Sequence, residues 1–166
     1  PGDVLVFQFA GHGTQLDDTD GDERRDEALC AVDYTEGGFV VDDDVRRVFE
    51  ALPGGVNLTC FIDCCHSATV TRMAGATPAA PAGRDVRARY LPRRLVSAEM
   101  VERFRARRAE SDGTRTAPAA RGPAAMKEVT FSACRAEQVA YESDGQGDFT
   151  RHAIGVLGAA DIARLT

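Results

Sequence analysis

The residues best able to do chemistry stand in two short groups. Asp63-Cys64-Cys65-His66-Ser67 closes one apolar run, Gly11-His12-Gly13 closes another, and His12 and Cys65 are 53 residues apart. A free thiol is only slightly ionised near neutral pH. A neighbouring imidazole can take its proton during attack, or hand one to a leaving amine. Glycines on both sides of His12 let the backbone turn sharply and leave the ring uncrowded. Two plainer readings stay open at this point: a strand-ending turn with half-buried thiols, and a solvated loop histidine. A zinc site from His12, Cys64, Cys65 and His66 fits less well, because adjacent residues reach one tetrahedral ion poorly.

Placing these groups together requires two strands. Residues 58–62 form a short run rich in Phe, Ile and Thr, read as a strand buried on both faces. Residues 4–10 are almost continuously apolar and are read as a central strand. In an open α/β sheet, the carboxyl ends of such strands face the crevice where ligands bind. Between the two, residues 29–32 and 39–41 suit short strands. Residues 42–52 suit a helix with Val45, Val48, Phe49 and Leu52 on one face, opened by an aspartate N-cap and more acid in its first turn. Residues 17–27 read as an acidic loop. Beyond Thr69 the pattern predicts a short helix to Met73, a linker over 75–83, a weak helix over 96–108 and a second linker over 111–125. A third buried strand over 128–133 and a final amphipathic helix over 149–160 complete an α/β chain.

Composition narrows the function classes. At 166 residues, 43% hydrophobic and 28% charged, the chain is an ordinary globular one with room for a real core. No apolar run approaches the length of a membrane span, so no membrane role is expected. Five cysteines without a spaced framework argue for a reducing compartment and a cytoplasmic protein. The net charge of −6 is uneven: residues 72–127 carry 13 Lys+Arg against 5 Asp+Glu, leaving the remainder strongly acidic. That basic stretch is rich in Ala, Pro and Gly and poor in aromatics. It reads as a flexible segment with no nucleic-acid partner.

Taken together, the motifs resemble the caspase-haemoglobinase type of cysteine peptidase, and within it the metacaspases. Phe9-Ala10-Gly11-His12-Gly13-Thr14-Gln15 is similar to the family's Ser-Gly-His-Gly-Thr-Gln. Asp63-Cys64-Cys65-His66-Ser67-Ala68 is similar to its Asp-(Ser/Cys)-Cys-His-Ser-Gly. Glu27 to Tyr34, Val40 to Asp44, Ser132-Ala133-Cys134 and Gly147-Asp148-Phe149-Thr150 also match, in the family's order. The resemblance implies a caspase-like three-layer sandwich with a mostly parallel sheet, from which N-terminal strands are expected to be missing. It divides the chain into a large-subunit-like part carrying His and Cys (1–74), a basic linker or insert (75–127) and a small-subunit-like part (128–166).

Carried over residue by residue, the resemblance implies Cys65 as nucleophile and His12 as general acid/base, with an acyl-thioester intermediate. Cys64 falls where the family tolerates Ser or Cys, and His66 is structural. The backbone amides of Gly13 and Cys65 would hold the oxyanion. Asp63 would give the primary pocket its acid and a preference for Arg or Lys in protein or peptide substrates. Ala10 replaces a serine in that pocket's wall. No cofactor is required, although carboxylates matching Asp26, Asp42 and Asp43 bind calcium in some members. Arg72 stands at the fourth position and cannot ligate, so any site is weak. Self-processing is expected in the basic linker near Arg93-Arg94, Arg107-Arg108, Arg115, Arg121 or Lys127. The rival reading is an inactive caspase-like scaffold, against which the retention of both His12 and Cys65 speaks.

Overall fold

A computed structural model of the protein describes residues 2–17, 25–65, 85–112, 127–135 and 138–160. The elements are β1 (Val4–Ala10), β2 (Gly13–Asp17), β3 (Arg25–Cys30), β4 (Phe39–Val41), α1 (Asp42–Glu50), β5 (Asn57–Asp63) and β6 (Val86–Ala88). They continue with α2 (Ala98–Asp112), β7 (Lys127–Ser132), β8 (Tyr141–Ser143), β9 (Gln146–Gly147) and α3 (Asp148–Ala159). The main sheet has the order β1-β5-β7 and is parallel throughout. β2-β3-β4 and β6-β8-β9 form two small antiparallel sheets. The fold is α/β and caspase-like, as the resemblance implies. Among the described residues no helix is long and apolar enough to cross a membrane.

Several expectations need correction. β5, not β1, holds the centre of the described sheet, with Leu58 and Cys60 buried. Val4 and Val6 on β1 are 70% and 57% exposed. β7 is also an edge, with Val129 and Phe131 about half exposed. Phe131 still stacks on Phe61 with ring centroids 5.3 Å apart. A continuous apolar run shows that two faces favour burial, but not which neighbours cover them. The acidic loop is shorter than expected, because Arg25 to Glu27 belong to β3 and pair with β2. The strand expected over 29–32 therefore starts earlier, and Val32 lies fully exposed in the turn beyond it. α1 enters directly from β4, so Val41 occupies its N-cap without a side-chain bond. Asp42, Asp43 and Asp44 instead fill the first turn, where their charge suits the helix dipole.

The largest correction concerns the basic stretch. The helix expected over 96–108 is present as α2, and residues 85–112, part of the stretch read as basic linker or insert, contribute Leu91, Met100 and Phe104 to the main core, against Leu16, Ala28, Phe39 and Val41. Phe104 meets Phe39 edge-on at 6.1 Å. Average composition hid this, since a few apolar residues spaced along α2 suffice to dock it. Three of its arginines face outward in solvated pairs, Arg103 with Glu99 and Glu36, Arg105 with Glu102, and Arg107 with Asp33. Such exposed pairs add little stability. The helix expected before Met73 and the linker over 75–83 lie outside the described residues; the linker expected over 111–125 does too, except for its first two residues, which end α2.

Candidate active site

β1 and β5 run parallel in register from Val4↔Asn57 to Ala10↔Asp63, so both chemical loops leave the sheet at one edge. The Gly11 amide donates to the Asp63 carbonyl at 3.2 Å and carries the pairing one step further. Gly13 then passes directly over Cys65. A Cβ there would overlap the Cys65 carbonyl oxygen and lie 2.9 Å from its carbon. Only glycine permits this approach.

Cys65 is fully buried, in a small cluster with Tyr90 and Ala140. Its thiol accepts from the Ala140 amide at 2.7 Å and donates to the Ala140 carbonyl at 3.3 Å. Hydrogen bonding with Cys134, then burial, pushes the Cys65 thiol well above its ordinary range, so it rests protonated. Burial likewise raises Cys64, and pushes Cys30 up to about 12. His12 is half-buried, and that burial lowers its pKa below the usual 6.5, with Glu142 opposing and Arg89 and Arg87 assisting. Its imidazole is therefore neutral at pH 7.

One residue that sequence reasoning passed over sits at the centre of the site. The Arg89 carbonyl accepts from the Gly13 amide at 3.2 Å and from the Cys65 amide at 3.0 Å. These are the two amides that the resemblance pairs around an oxyanion. The Arg89 amide donates to the Ala140 carbonyl at 2.9 Å. Its side chain, only 8% exposed, places Nη1 3.3 Å from Asp63 Oδ2 and Nη2 3.9 Å from Glu142 Oε2, and Nε donates to the Gly11 carbonyl at 3.2 Å.

Asp63 is positioned by α3, whose Thr150 donates to Oδ2 through its amide at 3.1 Å and its hydroxyl at 2.5 Å. Gly147 closes the pocket. A Cβ at 147 would overlap both Arg89 Nη1 and Asp63 Oδ2. Gly147 and Thr150 were visible in the sequence as part of a matched motif, but nothing there gave them a task. Arg89 is one arginine among many in the basic stretch, and Glu142 carried no local signal.

The other predicted residues are placed as follows. Ala10 pairs with Asp63 but is exposed, and the backbone contact to the guanidinium comes from Gly11. Asp26 is buried on β3, while Asp42 and Asp43 both pair with Arg46 on α1. Among the described residues no three His, Cys, Asp or Glu side chains converge as a cation site. A guanidinium already on two of the three proposed ligands does not fit a tight calcium site. Arg72 and His66 lie outside the described residues.

Comparison with known proteins finds similarity in the part that carries His12, Asp63 and Cys65. Residues 1–74 match the family model described as metacaspase, peptidase C14 domain. Metacaspase-2 of Trypanosoma brucei brucei is 46% identical over 72 residues, covering 42% of this chain and 21% of that protein. Metacaspase-2 of Arabidopsis thaliana is 47% identical over 73 residues, covering 42% and 18%. The chain thus spans about a fifth of the length of the curated relatives it matches. The crystal structure of a Geobacter sulfurreducens protein superposes with a TM-score of 0.64 at 27% identity, covering 95% of this chain and 55% of that one. Residues 1–74, which carry His12, Asp63 and Cys65, are therefore similar to the metacaspase peptidase C14 domain.

Proposed function

We propose that the protein is a cysteine endopeptidase that cleaves after arginine and, less efficiently, lysine. One observation carries this reading: a peptide arginine with its guanidinium on Asp63 has its carbonyl oxygen on the Gly13 and Cys65 amides. Pocket and amides are therefore spaced for one residue. The fork of Arg addresses Asp63, Glu142 and the Gly11 carbonyl at once, whereas Lys offers a single point charge. An aspartyl side chain would bring like charge to a buried carboxylate and be rejected.

In this mechanism neutral His12 takes the proton from Cys65 as Sγ attacks the scissile carbonyl carbon. The electron pair moves to oxygen, held by the Gly13 and Cys65 amides, which need no reorganisation as charge develops. The C–N bond then breaks, and His12 returns the proton to the leaving amine. Water hydrolyses the resulting thioester and restores the thiol.

The test is turnover of matched peptides that differ only in the residue before the cut. Arginyl peptide should be cut faster than lysyl, and aspartyl not at all. Cys65→Ala should abolish turnover while Cys64→Ser retains most of it. Equal loss in both variants would overturn the assignment of Cys65. A folded protein that cuts none of the peptides before or after any self-cleavage would favour the inactive scaffold.

A further inference from the structure

We propose that Cys65 and Cys134 are a reversible redox pair, which hydrogen peroxide closes into a disulfide that takes the nucleophile out of use. The bridge itself needs only the two thiols, while its effect on turnover rests on the role of Cys65 proposed above.

The fold brings the two together from neighbouring strands. β5 and β7 run parallel as far as Ile62↔Ser132, and the Ala133 amide extends the ladder by donating to the Ile62 carbonyl at 2.9 Å. Strands so paired lie about 4.8 Å apart, inside the Cα separation of about 4.4–6.8 Å that a disulfide spans. Cys134 follows directly and packs on the buried cluster of Cys65, Tyr90 and Ala140. Its thiol donates to the Cys64 carbonyl at 3.5 Å, and the Cys65 and Cys134 thiols are hydrogen-bonded to each other. The Ala140 amide and carbonyl, at 2.7 and 3.3 Å, hold the Cys65 sulfur against the segment between β7 and β8, which also carries Cys134.

The two thiols differ in readiness. Cys65 is fully buried, whereas Cys134 is partly exposed. The hydrogen bond with Cys65 lowers the Cys134 pKa against the opposing effect of burial, while burial raises Cys30, Cys60 and Cys64. A thiol both reachable and readily ionised is oxidised first, and a second thiol in contact with it resolves the product. The Cys134 thiolate attacks one peroxide oxygen, the O–O bond breaks, and the departing hydroxide takes up the proton that Cys134 released, leaving as water. The Cys65 sulfur then attacks the sulfenic sulfur, the S–O bond breaks, and hydroxide leaves with the Cys65 proton as a second water. Two thiols and one peroxide thus give one disulfide and two waters, the sulfurs losing the two electrons that the peroxide gains. A dithiol reductant returns both electrons by exchange.

The experiment uses the full, reduced 166-residue chain, stoichiometric hydrogen peroxide, non-reducing peptide mapping and an arginyl peptide. The wild type should lose two hydrogen atoms by intact mass, yield a peptide linked through Cys65 and Cys134, and lose turnover in proportion to the bridged fraction. Dithiothreitol should restore mass and turnover together. Cys64→Ser should form the same bridge. Cys134→Ser should form none, and its Cys65 should react with peroxide at least about tenfold more slowly than in the wild type, because a buried thiol is poorly ionised. If Cys134→Ser fails to fold, the linked peptide from the wild type decides the matter. A bridge joining Cys64 to Cys134, or Cys65 oxidised equally fast in Cys134→Ser, would overturn the pair. So would a peroxide-treated wild type without any disulfide, and turnover by the untreated protein would then leave the proposed function standing. A Cys65–Cys134 bridge in a protein that cuts no peptide when reduced would uphold the pair and overturn that function.

Discussion

Gly147→Ala is the sharpest probe of the pocket. The added Cβ would overlap Arg89 Nη1 and Asp63 Oδ2 and lie 2.7 Å from the Asp63 carboxyl carbon, closer than real contacts allow. Asp63 cannot retreat easily, since it is 1% exposed and its Oδ2 is held by the Thr150 amide and hydroxyl. The guanidinium must give way instead. Losing a charge-assisted hydrogen bond to a buried carboxylate costs about 1.5–3 kcal/mol. That corresponds to a drop in kcat/KM for arginyl peptide of about 10- to 150-fold. Because the same residue sets where the scissile carbonyl meets the Gly13 and Cys65 amides, kcat should fall as well as KM rise. The assay is steady-state kinetics on the wild type and the variant, with Gly155→Ala as control, where an added methyl meets nothing within 4 Å. A Gly147→Ala protein that keeps wild-type kcat/KM for arginine would refute this account of the pocket.

Three further outcomes follow from the same structure. Burial holds His12 below its usual pKa, and the neutral ring is the active form, so kcat/KM should lose activity on acidification with a midpoint below pH 6.5. A midpoint above that value would contradict the placement of His12. Phe104→Ala should destabilise the fold by about 3–5 kcal/mol in denaturant unfolding, as for other buried aromatics; a loss under 1 kcal/mol would refute the docking of α2 in the core. Calcium should bind weakly, because Arg46 already pairs with Asp42 and Asp43; sub-micromolar affinity by calorimetry, or activity wholly lost under chelator, would show the reverse.

What the sequence made legible was local. Gly-His-Gly after one apolar run and Asp-Cys-Cys after another placed both groups on one sheet edge, and β1 pairs with β5 accordingly. Strand order was not legible, since the runs in β1, β5 and β7 look equally apolar while only β5 is covered on both sides by strands. The core role of residues 85–112 was hidden for another reason. Leu91, Met100 and Phe104 are separated by arginines and glutamates that satisfy the solvated face of α2. The pocket itself is assembled from Asp63, Arg89, Glu142, Gly147 and Thr150, residues far apart in the chain. Only contacts across the fold could select Arg89 from the other arginines.

The ladder between β1 and β5 has a consequence for how damage to the sheet would appear. Seven consecutive pairs, ending at Ala10↔Asp63, set the distance between the loop of His12 and the loop of Cys65. Strand pairing changes in whole residues, and a slip of one turns every side chain to the opposite face. Alignment of the two groups is therefore a digital quantity. Molecules with weakened β1–β5 pairing divide into those with a complete site and those with none, so an ensemble loses titratable sites while each surviving site keeps its full turnover.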